Sequence, residues 1–120
     1  MKILDTNVVS ELIRQNRDEN VVAWVDAQPI AELFVTAITE AELRSGVATM
    51  PSGKRKKALE ADVHGILQQE FAGRILPFDS KAAIEYAAIV SARRALGKPI
   101  SQFDAQIAAI ARANGAEALV

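Results

Sequence analysis

The 120-residue sequence contains no cysteine, which rules out disulfide stapling, thiolate zinc modules and cysteine nucleophiles, and which fits a reducing compartment. Neither sign of charge prevails: 14 basic residues stand against 15 acidic ones, for a net charge of −1. Whole-protein electrostatics therefore exert no strong pull on nucleic acid, and any such partner must be held locally. No stretch approaches the roughly 20 consecutive apolar residues that span a bilayer. Asp5 falls where a signal peptide would need its apolar segment, so the chain is expected to be soluble and cytoplasmic, with no membrane partner. Walker, GxGxxG, HExxH and GxSxG patterns are absent, which leaves nucleotide-cofactor and serine-hydrolase readings without support. Aromatic residues make up only 5%, but half of the residues are hydrophobic and 24% are charged. That is ordinary globular composition, and the length suits one domain with a single core.

Breaks at Gln28-Pro29, Pro51-Ser52-Gly53, Pro77 and Gly97-Lys98-Pro99 separate elements rather than domains. Ile3-Leu4 reads as a short buried strand ending at Asp5, followed by a helix over Val8 to Gln15. A second helix is expected over Asn20 to Gln28, with Val21, Val22 and Val25 inward. The bulky run Leu33-Phe34-Val35 suits a buried strand, and a helix follows from Thr39 to about Met50. Leu59, Val63, Ile66, Leu67 and Phe71 recur at helical spacing in a long amphipathic helix between Ser52 and Phe71. Arg74-Ile75-Leu76 makes another strand. Ala83, Tyr86, Ile89, Val90 and Leu96 mark the inner stripe of a helix stopped by Gly97 and Pro99. Ile100, Phe103, Ile107 and Ile110 mark the next, stopped at Asn114-Gly115, and Ala118-Leu119-Val120 begins a last strand. Strands alternate with helices, and nothing resembles a two-residue hairpin turn. The expected fold is therefore α/β, a parallel sheet covered on both faces by helices, and in such folds the site lies beyond the carboxyl ends of the strands.

Three acids fall on that rim: Asp5 after the first strand, Glu42 in the first turn of the helix after the second, and Asp104 in the first turn of the last helix. Each also has a capping reading. Asp5 is a favoured N-cap type, Thr39-Glu40-Ala41-Glu42 is a capping box by sequence, and Ser101-Gln102-Phe103-Asp104 is a looser one. Their joint placement points further. Carboxylates within about 5 Å repel by roughly 3 kcal/mol at an effective dielectric near 20, and a divalent cation is the natural compensation. Without clustered His or Cys, an all-oxygen donor set favours Mg²⁺ or Mn²⁺ over Zn²⁺. Asp79 also follows a strand, but an edge one, and reads as an N-cap. Glu40 is the acid most easily confused with Glu42.

The remaining features carry less. Asp18, Glu19 and Asp26 are most simply solvent-facing, His64 sits on the polar side of its helix, and Lys54-Arg55-Lys56-Lys57 suits a solvated face. Trp24 suits core or subunit interface. Leu12, Ile13, Val22 and Trp24 either line a groove for an amphipathic partner segment or belong to the core.

Four blocks in order and spacing, Ile3-Leu4-Asp5-Thr6-Asn7-Val8-Val9-Ser10-Glu11, Thr36-Ala37-Ile38-Thr39-Glu40-Ala41-Glu42-Leu43-Arg44-Ser45-Gly46, Gly73-Arg74-Ile75-Leu76-Pro77-Phe78-Asp79 and Ile100-Ser101-Gln102-Phe103-Asp104-Ala105-Gln106-Ile107-Ala108-Ala109, resemble PIN-domain ribonucleases of the VapC toxin type, in particular the FitB-like branch. The resemblance covers essentially the whole chain. It implies a three-layer αβα sandwich with a mostly parallel sheet, a Mg²⁺- or Mn²⁺-dependent endoribonuclease acting on RNA, a homodimer, and a cognate antitoxin that blocks the site. Asp5 and Asp104 match the family's metal-binding aspartates and Glu42 its intervening acid, while Thr6 or Asn7 matches the polar neighbour of the first aspartate. Family members usually continue past the last strand into a Thr-Arg-Asn segment and a fourth acid. The expectation for residues 1–120 is thus a single PIN domain without that tail. A different-class alternative is a catalytically weak or inactive module acting through dimerisation or antitoxin binding. A phosphatase using Asp5 as nucleophile is disfavoured, since Asn7 stands where such enzymes usually carry a second aspartate.

Overall fold

The computed structural model describes residues 1–120, the side chains at 118 and 119 aside. Four strands, β1 (Lys2–Ile3), β2 (Leu33–Thr36), β3 (Ile75–Leu76) and β4 (Ala118–Leu119), form one sheet in the order β3-β2-β1-β4. Every pairing is parallel, with Ile3 opposite Phe34 and Leu119, and Thr36 opposite Leu76. The backbone carries the pairing of β1 past its end, because the Leu4 N–H donates to the Phe34 carbonyl at 2.9 Å and the Asp5 N–H to the Val120 carbonyl.

Six α-helices connect these strands: α1 (Thr6–Ile13), α2 (Glu19–Asp26), α3 (Ala37–Ala48), α4 (Lys54–Gly65), α5 (Ser80–Ala95) and α6 (Gln102–Ala113). A 3₁₀ turn at Ile30–Glu32 leads into β2. The long amphipathic helix expected from residue 52 is α4 continued by a wider π turn over Ile66–Glu70, which buries Leu67 and ends at buried Phe71. Helices α5 and α6 stop where glycine is required. Gly97 (φ 67°) and Gly115 (φ 62°) adopt the left-handed conformation that closes a helix end, and the following N–H groups reach back to Arg93 and Ala111.

Side chains alternate across a strand, so the sheet feeds two cores. Leu4, Leu33 and Val35 pack with Val9, Val25, Val47, Val63, Leu67 and Phe71 beneath α1 to α4. A second cluster around Ile89, Ala105 and Ala109, with Phe78, Tyr86 and Ile100, joins α5 to α6. The result is a helix–sheet–helix sandwich, as expected. Three inner-stripe assignments fail: Leu96 is 70% exposed and Phe103 54%, and Ala83 is exposed while its neighbour Ala82 is buried. Helix α5 sets Tyr86, Ile89 and Val90 against the small Ala105, Ala108 and Ala109 of α6, and Leu96 and Phe103 lie outside that contact.

Candidate active site

The carboxyl ends of β1 and β2 lie side by side at the middle of the sheet, and the residues just beyond them build the site. Asp5 stands at the N-cap position of α1, in extended conformation, yet its side chain makes no capping bond. A carboxylate placed there and not used by the helix lies next to unpaired backbone N–H groups that favour negative charge.

Glu42 is not part of a capping box. Helix α3 begins at Ala37, earlier than expected, and is capped by Thr36, whose hydroxyl accepts from the Thr39 N–H at 3.1 Å. Ala37 and Ile38 read as a continuation of strand hydrophobicity, which hid the true start. Glu42 therefore lies in the second turn of α3, not the first. There its Oε1 accepts from the Thr6 hydroxyl at 2.9 Å, and the Thr6 and Thr39 hydroxyls are themselves 2.9 Å apart. Thr36 and Thr39 are fully buried. Glu40, by contrast, is engaged by Arg44 at 3.0 Å on the same helix.

Asp104 occupies the first turn of α6, as expected, where its N–H donates to the Ser101 hydroxyl at 3.2 Å. Among the described residues its carboxylate makes no return bond and no ion pair, so the capping box is half formed. Helix α6 leads into β4, which runs parallel to β1. A helix of this length returns about 18 Å along the sheet, which directs its first turn toward the carboxyl rim.

The three acids are not gathered into a cluster. Glu42 meets Thr6, the residue after Asp5, but Asp104 contacts none of these side chains, and Asn7 is exposed without a side-chain partner among the described residues. No group of three or more His, Cys, Asp or Glu side chains among the described residues is placed to hold a metal ion as it stands. The donor chemistry still fits a hard divalent cation: Asp5 and Asp104 are free of capping duties, and Glu42 is held through one oxygen with the other unengaged.

Asp79 and His64 stand as read, and Asp18, read only as solvent-facing, is exposed and also caps α2. Asp79 caps α5 by accepting from the Ala82 N–H at 3.0 Å, at the end of edge strand β3. His64 is exposed. Sequence reasoning missed Thr39 and Thr36 as site-building residues. The i, i+3 spacing of Thr36 and Thr39, typical of a hydroxyl N-cap, was the available signal. It also missed the main groove, a cavity of about 840 Å³ between α1, α3 and α4. Its lining includes Ser10 and Gly46, one helical turn below Thr6 and Glu42, and Lys54 and Arg55. Of the residues read as groove candidates, Ile13 lines this cavity, Leu12 and Val22 line a smaller one of about 310 Å³, and Trp24 is 37% exposed.

Comparison with known proteins gives a consistent result. The PIN domain family matches residues 2–120. The chain is 46% identical over 115 residues to VapC ribonuclease Y4jK of Sinorhizobium fredii, covering 96% of this chain and 82% of that one. It is 46% identical over 112 residues to Toxin FitB of Neisseria gonorrhoeae, covering 93% and 81%. Among solved structures, FitAB bound to the IR36 DNA fragment superimposes with a TM-score of 0.90 at 42% identity, covering 98% of this chain and 82% of that one.

Proposed function

The chain belongs to the PIN domain family, and on that premise we propose that it is the ribonuclease toxin of a toxin–antitoxin pair, hydrolysing RNA phosphodiester bonds with Mg²⁺ or Mn²⁺. The observation that carries this reading is the carboxylate of Glu42 held by Thr6, the residue that follows the uncapped Asp5, at the carboxyl ends of the two central strands. Relatives that match almost the whole chain and are named ribonuclease and toxin support it.

Asp5 and Asp104 would hold one cation, and Glu42 would hold a second or orient the attacking water. When bound, the cation supplies polarisation of the phosphate and neutralises the charge that builds in the transition state. The chain's own part is positional. Thr6 holds Glu42 by one oxygen and leaves the other to accept a proton from water. The N-termini of α1 and α3, both beginning at this rim, add partial positive charge where an anionic backbone must approach. The partner proposed for the surface around the groove is a cognate antitoxin, in line with the FitAB assembly, and the working unit is a homodimer.

The test is cleavage of an RNA panel by purified protein with and without Mn²⁺, alongside calorimetric titration of Mn²⁺. Cleavage that needs the cation and is abolished by chelation supports the reading; cleavage indifferent to chelation contradicts it. A catalytically weak module acting through dimerisation or antitoxin binding is favoured by one observation: among the described residues no group of three acids is placed to hold a cation as it stands. It would show partner binding without Mn²⁺ uptake or cleavage.

A further inference from the structure

A chain of side-chain hydroxyls runs into Glu42. Thr36 Oγ1 lies 3.4 Å from Thr39 Oγ1, Thr39 Oγ1 lies 2.9 Å from Thr6 Oγ1, and Thr6 Oγ1 lies 2.9 Å from Glu42 Oε1. Each hydroxyl has a single proton to donate, whereas an ionised carboxylate only accepts. The Thr6 proton is therefore committed to Glu42. The Thr6–Thr39 bond must then be donated by Thr39, which uses the Thr39 proton. The remaining bond is donated by Thr36, whose oxygen still accepts from the Thr39 N–H at 3.1 Å. No alternative assignment satisfies all the bonds. Thr36 and Thr39 are 0% exposed, so water does not compete, and no buried side-chain polar atom among the described residues lacks a partner.

The geometry points to Thr39 as a positioning residue for Glu42: by donating to Thr6 it fixes the Thr6 proton on Oε1, so that Glu42 presents Oε2 alone to whatever occupies the site. Direction is imposed from the N-cap of α3 and delivered across to the start of α1. A threonine in this place that served only to fill space and satisfy its own hydroxyl would be energetically independent of Glu42.

The deciding experiment is a double-mutant cycle in the full chain without metal, pairing Thr39→Val with Glu42→Ala and reading urea unfolding. The expected result is non-additivity of about threefold or more in the folding equilibrium constant, with Thr39→Ser restoring wild-type behaviour. Additive effects overturn the inference. Where Thr39→Val does not fold, the hydroxyl proton resonances of Thr6 and Thr39 decide. Both shifting in Glu42→Ala supports the relay, and a shift confined to Thr6 overturns it. A second arm rests on the metal reading above: Thr39→Val weakens Mn²⁺ binding by about three- to tenfold and Thr39→Ser does not. Equal affinities in a wild-type protein that binds Mn²⁺ overturn the inference. A wild type that neither binds Mn²⁺ nor cleaves RNA sinks the metal reading instead, and the metal-free cycle still decides the relay.

Discussion

The main-chain N–H of Asp5 donates to the carbonyl of Val120, while the N–H of Val120 donates to the Ile3 carbonyl at 2.9 Å. The first acid of the site is thus laced to the last strand by backbone alone. Val120→Pro removes one of these donors and is expected to lower stability by about 1 kcal/mol. It should also speed exchange of the Asp5 amide by roughly fivefold or more. Hydrogen exchange checks this, and an Asp5 amide equally protected in the variant contradicts it.

Asp5→Asn should leave the fold intact, because the carboxylate caps nothing. Cation-dependent RNA cleavage should fall by about a hundredfold or more, in keeping with the several kcal/mol that metal polarisation supplies. Asp104→Asn should behave alike. Thermal unfolding with a cleavage assay separates the two effects, and cleavage retained by Asp5→Asn would remove that residue from the site.

Two acids two residues apart on α3 should differ sharply. Glu40→Gln loses only a part-exposed pair with Arg44, so stability should change by no more than about 1 kcal/mol and cleavage by less than about twofold. Glu42→Gln keeps an acceptor for Thr6 but loses the charge, and cleavage should drop by about tenfold or more. Similar rates for the two variants would show that Glu42 has no special role.

Asp79→Ala should cost about 1 kcal/mol through loss of the α5 cap and leave cleavage per folded molecule unchanged. Urea unfolding and initial rates check both halves. A parallel loss of cleavage would place β3 closer to the chemistry than the sheet order indicates.

Much of this architecture is legible in the sequence because local signals and tertiary demand agree. Asp79 as a cap, Asn114-Gly115 as a stop, and Leu33-Phe34-Val35 as a buried strand are examples, and each follows from chemistry within a few residues. Misreadings occur where a local pattern competes with a nearby one. Thr39-x-x-Glu42 imitates a capping box, but Thr36 starts the helix, and Thr39 turns its hydroxyl toward Thr6 on another element. Leu96 and Phe103 fit a helical stripe, yet Tyr86, Ile89 and Val90 of α5 against the alanines of α6 take the contact. The joining of Thr6 to Glu42, 36 residues apart, depends on the adjacency of two strand ends, which periodicity along one segment does not encode.

The strand order has a kinetic consequence. The amide of Leu4 is bonded inward to β2 and that of Asp5 outward to β4, while short β3 and β4 form the two borders. Breathing motions begin at borders, so the sheet can lose its outer pairings while Thr6 and Glu42 keep their grip on each other. The Thr6–Glu42 contact is thereby carried by the two inner strands and does not depend on the border pairings.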